Sequence, residues 1–150
     1  MAKAPAFNQL RCSFPSNSVN EALARSIAAS FTAQMNPTCE EVSDIKCAVS
    51  EAVTNAIVHG YRDSIGEIVL SLRLDQDRTL TAEIRDRGCG IANVEEAMRP
   101  LFTTDPEHER SGMGFTIIEN FMDSLRVVSS PGKGTRVIMK KQLSMLPIQK

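Results

Sequence analysis

The spacing of apolar residues changes once along this chain, from a period near four to a period of two, and that change constrains the fold more than any other feature. Up to about residue 60 the apolar side chains recur at helical intervals. Leu23, Ile27, Phe31 and Met35 stand four apart between about Ser18 and Met35, as one core-facing stripe of a helix requires, and Asn36-Pro37 ends that segment. Thr38 followed by Glu41 has the form of a capping box, in which hydroxyl and carboxylate each satisfy a free backbone N–H at a helix start. A second helix is therefore expected from Thr38, with Val42, Ile45, Val49, Ala52, Val53 and Ala56 as its buried stripe and Gly60 as a left-handed C-cap. Leu10 to Phe14 is a short strand candidate ahead of both helices.

Beyond residue 66 the pattern alternates. Ile68, Leu70, Leu72 and Leu74 interleave with more polar neighbours, a polar turn runs from Asp75 to Arg78, and Leu80, Ala82 and Ile84 resume the alternation. A short helix is expected from Asn93 to Met98, then an irregular stretch from Arg99 to Gly112, then a helix with Phe115, Ile118, Phe121 and Met122 inward. Two last strands, near Leu125 to Ser130 and Thr135 to Lys140, are joined by the turn Pro131-Gly132-Lys133-Gly134. Helices followed by hairpins predict an α+β fold. Its expected form is a two-layer α/β sandwich, with helices on one face of a mostly antiparallel (mixed) sheet rather than a doubly wound parallel one.

Length and charge narrow the functional classes. The 150 residues, 42% hydrophobic and 23% charged, carry no repeat or linker and are expected to form one domain over 1–150. Seventeen Lys plus Arg against eighteen Asp plus Glu leave a net charge of −1, so no broad field drives binding to nucleic acid or an anionic membrane. No apolar run approaches the roughly 18 residues that would span a bilayer, and the N-terminus lacks a signal-peptide core, so a cytoplasmic location is expected. Cys12, Cys39, Cys47 and Cys89 form no C-x-x-C pair and are read as reduced apolar fillers, Cys89 standing apart because it lies in a glycine loop.

Three sites carry chemistry. Glu51 and Asn55 are four apart on the second helix and share a face away from the Val49 stripe; a solvated polar face is the plain alternative. In Asp86-Arg87-Gly88-Cys89-Gly90 the alternation places Asp86 at a strand end on the buried face, where a lone carboxylate needs a donor. The exocyclic amino group of a purine would serve, and Gly88 and Gly90 would let a base or ribose lie close to the backbone; a tight turn with a capping Asp is the alternative. In Ser111-Gly112-Met113-Gly114, glycine-flanked N–H groups at a helix start suit a phosphate, with Arg110 adding positive charge and residues 99–114 acting as a lid. Gly132-Lys133-Gly134-Thr135 fails as a P-loop, because Val127 stands where the first Gly belongs and Gly134 where Ser or Thr must follow the Lys. It reads as a hairpin turn. Neither glycine pair completes a dinucleotide fingerprint, since Asn93 and Ile117 occupy the last positions.

Glu51-x-x-x-Asn55, Asp86-x-Gly88-x-Gly90 and Gly112-x-Gly114, in that order, resemble the ATP-binding superfamily of gyrase, Hsp90, histidine kinases and MutL, whose fold is the Bergerat type. The runs SEAVTNAIVHGY, PLFTT and ERSGMGFTIIENFMD, within a likeness spanning roughly Leu10 to Leu143, resemble the anti-sigma F factors of endospore-forming bacteria, small serine kinases. The resemblance implies ATP or ADP as ligand and Mg²⁺ held by Asn55, with Glu51 as general base. It also implies Asp86 on the adenine amino group, aided by Gly90 and Thr135, and Gly112 and Gly114 around the phosphates with Arg110 near the γ-phosphate. The implied partners are sigma factor F, a serine on the anti-anti-sigma factor, and a second copy in a homodimer, with Arg25 in the partner-binding region. The Leu23/Ile27 stripe is assigned to core, with dimer burial as the alternative. Histidine kinases and gyrase- or Hsp90-like ATPases need further domains for which 150 residues leave no room. The competing readings are a non-catalytic, ATP-gated sigma-binding module and a general-stress anti-sigma kinase.

Overall fold

Residues 3–99 and 114–145 are described by the computed structural model. Strand β1 (Ala6–Pro15) leads into helices α1 (Asn20–Thr32) and α2 (Cys39–Asn55), then strands β2 (Glu67–Asp75) and β3 (Thr79–Asp86), a short helix α3 (Val94–Ala97), helix α4 (Gly114–Phe121), and strands β4 (Ser124–Ser130) and β5 (Gly134–Gln142). The strands form one sheet in the order β1-β2-β3-β5-β4. Every pairing is antiparallel, so the expected mixed sheet is corrected to a fully antiparallel one among the described residues.

The period-two segments become β2 and β3, with Ile68 opposite Asp86 and Leu72 opposite Ala82, so that one register line of apolar side chains faces the helices. Ile68, Leu70, Leu74 and Leu80 are fully buried there, beneath Ile45, Val49 and Val53 of α2. β1 starts four residues earlier than expected, because pairing along the edge of β2 orders a segment whose own apolar pattern is weak.

Helix α1 differs from its expectation. Its buried residues are Ala24, Ala28, Phe31 and Thr32, whereas Leu23 is 48% exposed and Ile27 and Met35 only partly covered. The stripe read from large side chains therefore misplaces the face, for a packing reason: fully buried alanines let α1 lie close to α2, and alanine contributes little to a hydrophobic pattern. The helix stops at Thr32 and tightens to a 3₁₀ turn over Ala33–Met35, ended by Asn36 in the left-handed conformation. Ser50 of α2 donates to the Glu21 carboxylate of α1, which also lies 3.7 Å from Arg25 Nη1.

Helix α2 begins as the sequence predicts. The Thr38 hydroxyl accepts from Glu41 N–H at 3.1 Å and Glu41 Oε1 accepts from Thr38 N–H at 2.8 Å. Its end does not follow expectation. The helix widens to a π turn over Ala56–Gly60, and Gly60 is not in the left-handed region, so it is no Schellman-type cap.

Glu41 also ties down the C-terminal segment, accepting from Ser144 N–H at 2.7 Å while Leu143 is buried. Burial works to raise the Glu41 pKa, but the N–H groups of Thr38 and Ser144 outweigh it and hold it below the ordinary carboxylate value. A folded pKa below the unfolded one means stability present above about pH 4.3 and lost as pH falls through the folded value. Glu41→Gln should cost about 0.5–1 kcal/mol in urea denaturation at pH 7, with the difference from the parent vanishing in acid.

Candidate functional site

A cavity of about 310 Å³, within the range of small-molecule sites, opens between the end of α2 and the sheet. Ala52, Ile84, Phe115 and Val137 give it apolar walls. Its polar lining includes Asn55, Asp86 and Thr135.

Asp86 closes β3 and is 5% exposed. Burial raises its pKa above the ordinary carboxylate value, against the opposing N–H donations from Gly88 and Thr135. Gly88 N–H reaches Asp86 Oδ1 at 2.9 Å. Gly60 makes room for this carboxylate, since a Cβ there would stand 2.9 Å from both Asp86 Cγ and Oδ1.

The glycines of the 86–90 loop lie against the protein's own backbone. A Cβ at Gly88 would meet the Gly60 carbonyl oxygen at 2.0 Å, and one at Gly90, whose φ is +74°, the Ser130 carbonyl oxygen at 2.0 Å. Both positions therefore need glycine for the close approach of the protein's own backbone. Gly90 still lines the cavity; Gly88 does not. The loop is fastened on two sides: Cys89 N–H donates to Gly60 O at 2.8 Å, and Gly132 N–H donates to Cys89 O at 2.7 Å. The Cys89 thiol is exposed and donates to the His59 carbonyl, with sulfur and oxygen 3.0 Å apart.

At the other end of the cavity, Asn55 is half-buried on the last residue of α2. A Cβ at Gly114 would lie 3.0 Å from Asn55 Nδ2 and 3.1 Å from Oδ1, so the amide abuts the first turn of α4. One amide oxygen fits Mg²⁺, which takes hard oxygen ligands and keeps waters and phosphate oxygens in most of its shell. No cluster of three or more acidic, His or Cys side chains suited to a metal occurs among the described residues.

Other expected site residues fall elsewhere. Glu51, half-buried one turn before Asn55, does not line the cavity. Arg25 is a half-exposed surface residue of α1. Arg110, Ser111, Gly112 and Met113, and with them most of the expected 99–114 lid, lie outside the described residues. His59, Arg62, Asn93 and Glu96 also line the cavity and were not singled out by the sequence. Asn93 had a readable signal, because its side chain caps α3 by accepting from Glu96 N–H at 3.0 Å. Arg62, at φ +51°, carried none.

The cavity thus runs, between the helices and an antiparallel sheet, from a buried carboxylate to an asparagine beside a helix start. Residues 14–141 match the histidine kinase-like ATPase domain family. The anti-sigma F factor of Clostridium acetobutylicum is 50% identical over 139 residues, covering 93% of this chain and 96% of that one. The anti-sigma F factor of Oceanobacillus iheyensis is 53% identical over 137 residues, covering 91% and 94%. Among solved structures, the RsbU and RsbW domains of a Mycobacterium tuberculosis protein align with TM-score 0.68 at 22% identity, covering 93% of this chain and 33% of that longer one. The histidine kinase domain of the Erythrobacter litoralis blue-light activated kinase aligns with TM-score 0.53 at 19% identity, covering 82% and 61%. These two likenesses bear on the fold alone. The chain belongs to the histidine kinase-like ATPase domain family, in the group whose members are named anti-sigma F factor.

The backbone contact beneath Gly88 gives a direct prediction. Gly88→Ala must displace the Gly60 carbonyl and should cost about 1–3 kcal/mol in urea denaturation, as overpacking does.

Proposed function

We propose that this chain is an anti-sigma factor that binds and inhibits sporulation sigma factor F and, with ATP and Mg²⁺, phosphorylates a serine of the anti-anti-sigma factor. The observation that carries the reading is a cavity that reaches from buried Asp86 to Asn55, whose amide abuts the first turn of α4, a span that suits a nucleotide with its base at the carboxylate and its phosphates at the amide. The names of the relatives supply the sigma-factor side of the proposal. Relatives at 50% and 53% identity named anti-sigma F factor favour this group over a general-stress anti-sigma kinase.

In this scheme Asp86 accepts from the adenine amino group, with Thr135 and Gly90 beside it, and the Asn55 amide oxygen holds Mg²⁺. Mg²⁺ and the nucleotide supply charge neutralisation and the transferable phosphoryl group. Glu51 takes the proton of the attacking serine hydroxyl, ADP leaves, and phosphoserine forms. The family likeness assigns phosphate binding to Gly114, Gly112, Ser111 and Met113, and a positive charge for the terminal phosphate to Arg110. The whole of 1–150 is one unit, working in the cytoplasm.

The exposed side of α1 is the proposed partner surface, with Arg25 held by Glu21. Homodimer formation is assigned to the neighbouring apolar surface, where Leu23 and Val19 of the α1 region and Phe7 and Leu10 of edge strand β1 are all exposed.

A second reading, a non-catalytic ATP-gated module, is favoured by the position of Glu51 outside the cavity lining. Incubation with labelled ATP, Mg²⁺ and the antagonist decides between them. Glu51→Gln should keep ATP affinity and lose transfer by about 10²-fold or more; undiminished transfer would exclude Glu51 as the base. Asp86→Asn should lose ATP binding yet stabilise the empty protein at pH 7. The sign follows from the raised folded pKa: the buried carboxylate is a cost at neutral pH that protonation removes, so the gain should shrink as pH falls through that pKa. Equilibrium dialysis and urea denaturation across pH read the two effects.

A further inference from the structure

Ser129 on β4 is not part of the cavity wall, yet its hydroxyl makes three contacts at the Asp86 end. It accepts from Ile91 N–H at 2.7 Å, lies 2.9 Å from the Gly134 carbonyl oxygen, and lies 2.8 Å from Thr135 Oγ1. A serine hydroxyl has one proton and two lone pairs. The Gly134 carbonyl can only accept, so it takes the Ser129 proton. One lone pair already receives Ile91 N–H. The contact to Thr135 must then be made by the Thr135 proton donating to the remaining lone pair of Ser129.

The Thr135 hydroxyl has only that proton. With it committed to Ser129, the Thr135 oxygen presents lone pairs alone toward the cavity it lines. Thr135 is paired directly opposite Asp86 in the sheet, and both line the cavity. Two acceptors therefore stand side by side at the buried end of the cavity. An amino-substituted purine offers two protons there, whereas an oxo-substituted purine offers a carbonyl oxygen that neither acceptor can bind.

We propose that Ser129 is a positioning residue that fixes Thr135 as an acceptor and thereby makes the cavity select an amino-substituted over an oxo-substituted purine nucleotide. The inference rests on the nucleotide-binding reading above. Removing the Ser129 hydroxyl frees the Thr135 proton to rotate and donate to a carbonyl, so the selectivity relaxes without any change in a residue that touches the ligand.

The test is the affinity for ATP against inosine triphosphate, which carries a carbonyl in place of the amino group, measured by equilibrium dialysis on the full chain. The parent should prefer ATP, Ser129→Ala should lower the ATP-to-inosine triphosphate ratio about tenfold, and Ser129→Thr, which keeps the hydroxyl, should restore it. A merely structural role would weaken both nucleotides by the same factor. Equal weakening, an unchanged ratio in Ser129→Ala, or a parent that binds both alike overturns the proposal. Should Ser129→Ala fail to fold by circular dichroism, Thr135→Val carries the test: removing the opposing oxygen should lower ATP affinity and leave or raise that for inosine triphosphate, and a parental ratio there overturns the proposal. A parent that binds no ATP overturns the nucleotide reading itself, a result distinct from a parent that prefers ATP and a variant that keeps the preference.

Discussion

The burial of one carboxylate, Asp86, organises the centre of this structure. An acid nearly removed from water at a strand end must be surrounded closely, and three glycines meet around it. Gly60 leaves space for the carboxylate, Gly88 lets its loop press on the Gly60 carbonyl, and Gly134, at φ +86°, comes within reach of the Asp86 carbonyl, where a Cβ would stand at 2.1 Å. Two backbone N–H groups only partly compensate for burial, which still raises the Asp86 pKa. Asp86 is thus a buried carboxylate with a raised pKa in the cavity wall, the kind of perturbed group that clusters at recognition sites.

The legible parts of the fold were those where pattern and environment coincide. β2 and β3 alternate because one face is buried and the other is not, and the Thr38–Glu41 box is complete within four residues, so both were readable locally. Asp86 was readable for the same reason, by extending the Leu80, Ala82 and Ile84 parity to the strand end. The face of α1 was not, because Ala24 and Ala28 are chosen by the closeness of α2, a fact of tertiary packing. Gly60 was misread as a left-handed cap because its reason lies 26 residues away, in the Asp86 side chain. Gly88 and Gly90 are both required by close backbone neighbours, Gly60 and Ser130, that the sequence did not reveal. Sequence reading identifies that a glycine is required more easily than it identifies what occupies the missing side chain's place.

The two helices that carry the proposed partner and catalytic residues are joined by a polar contact. Ser50, next to Glu51, donates to Glu21, which also faces Arg25. The contact fixes the rotation of α1 about its axis, which the small alanines alone leave loosely specified. Two side chains, Glu21 and Ser50, thus lie between the surface residue Arg25 and the backbone of the general-base candidate Glu51.

The cavity walls come from α2, the end of β3 with its loop, the first turn of α4 and β5, segments distant along the chain. A molecule filling the cavity therefore acts as a non-covalent crosslink, and its binding free energy adds to the cohesion of the whole domain by mass action: at a hundredfold excess over the dissociation constant the addition is about 2.7 kcal/mol. Nucleotide supply and the lifetime of the folded chain are then one linked quantity. Where that ligand is scarce, the unfolded fraction grows and is cleared faster, so the amount of folded chain would follow the ligand's concentration.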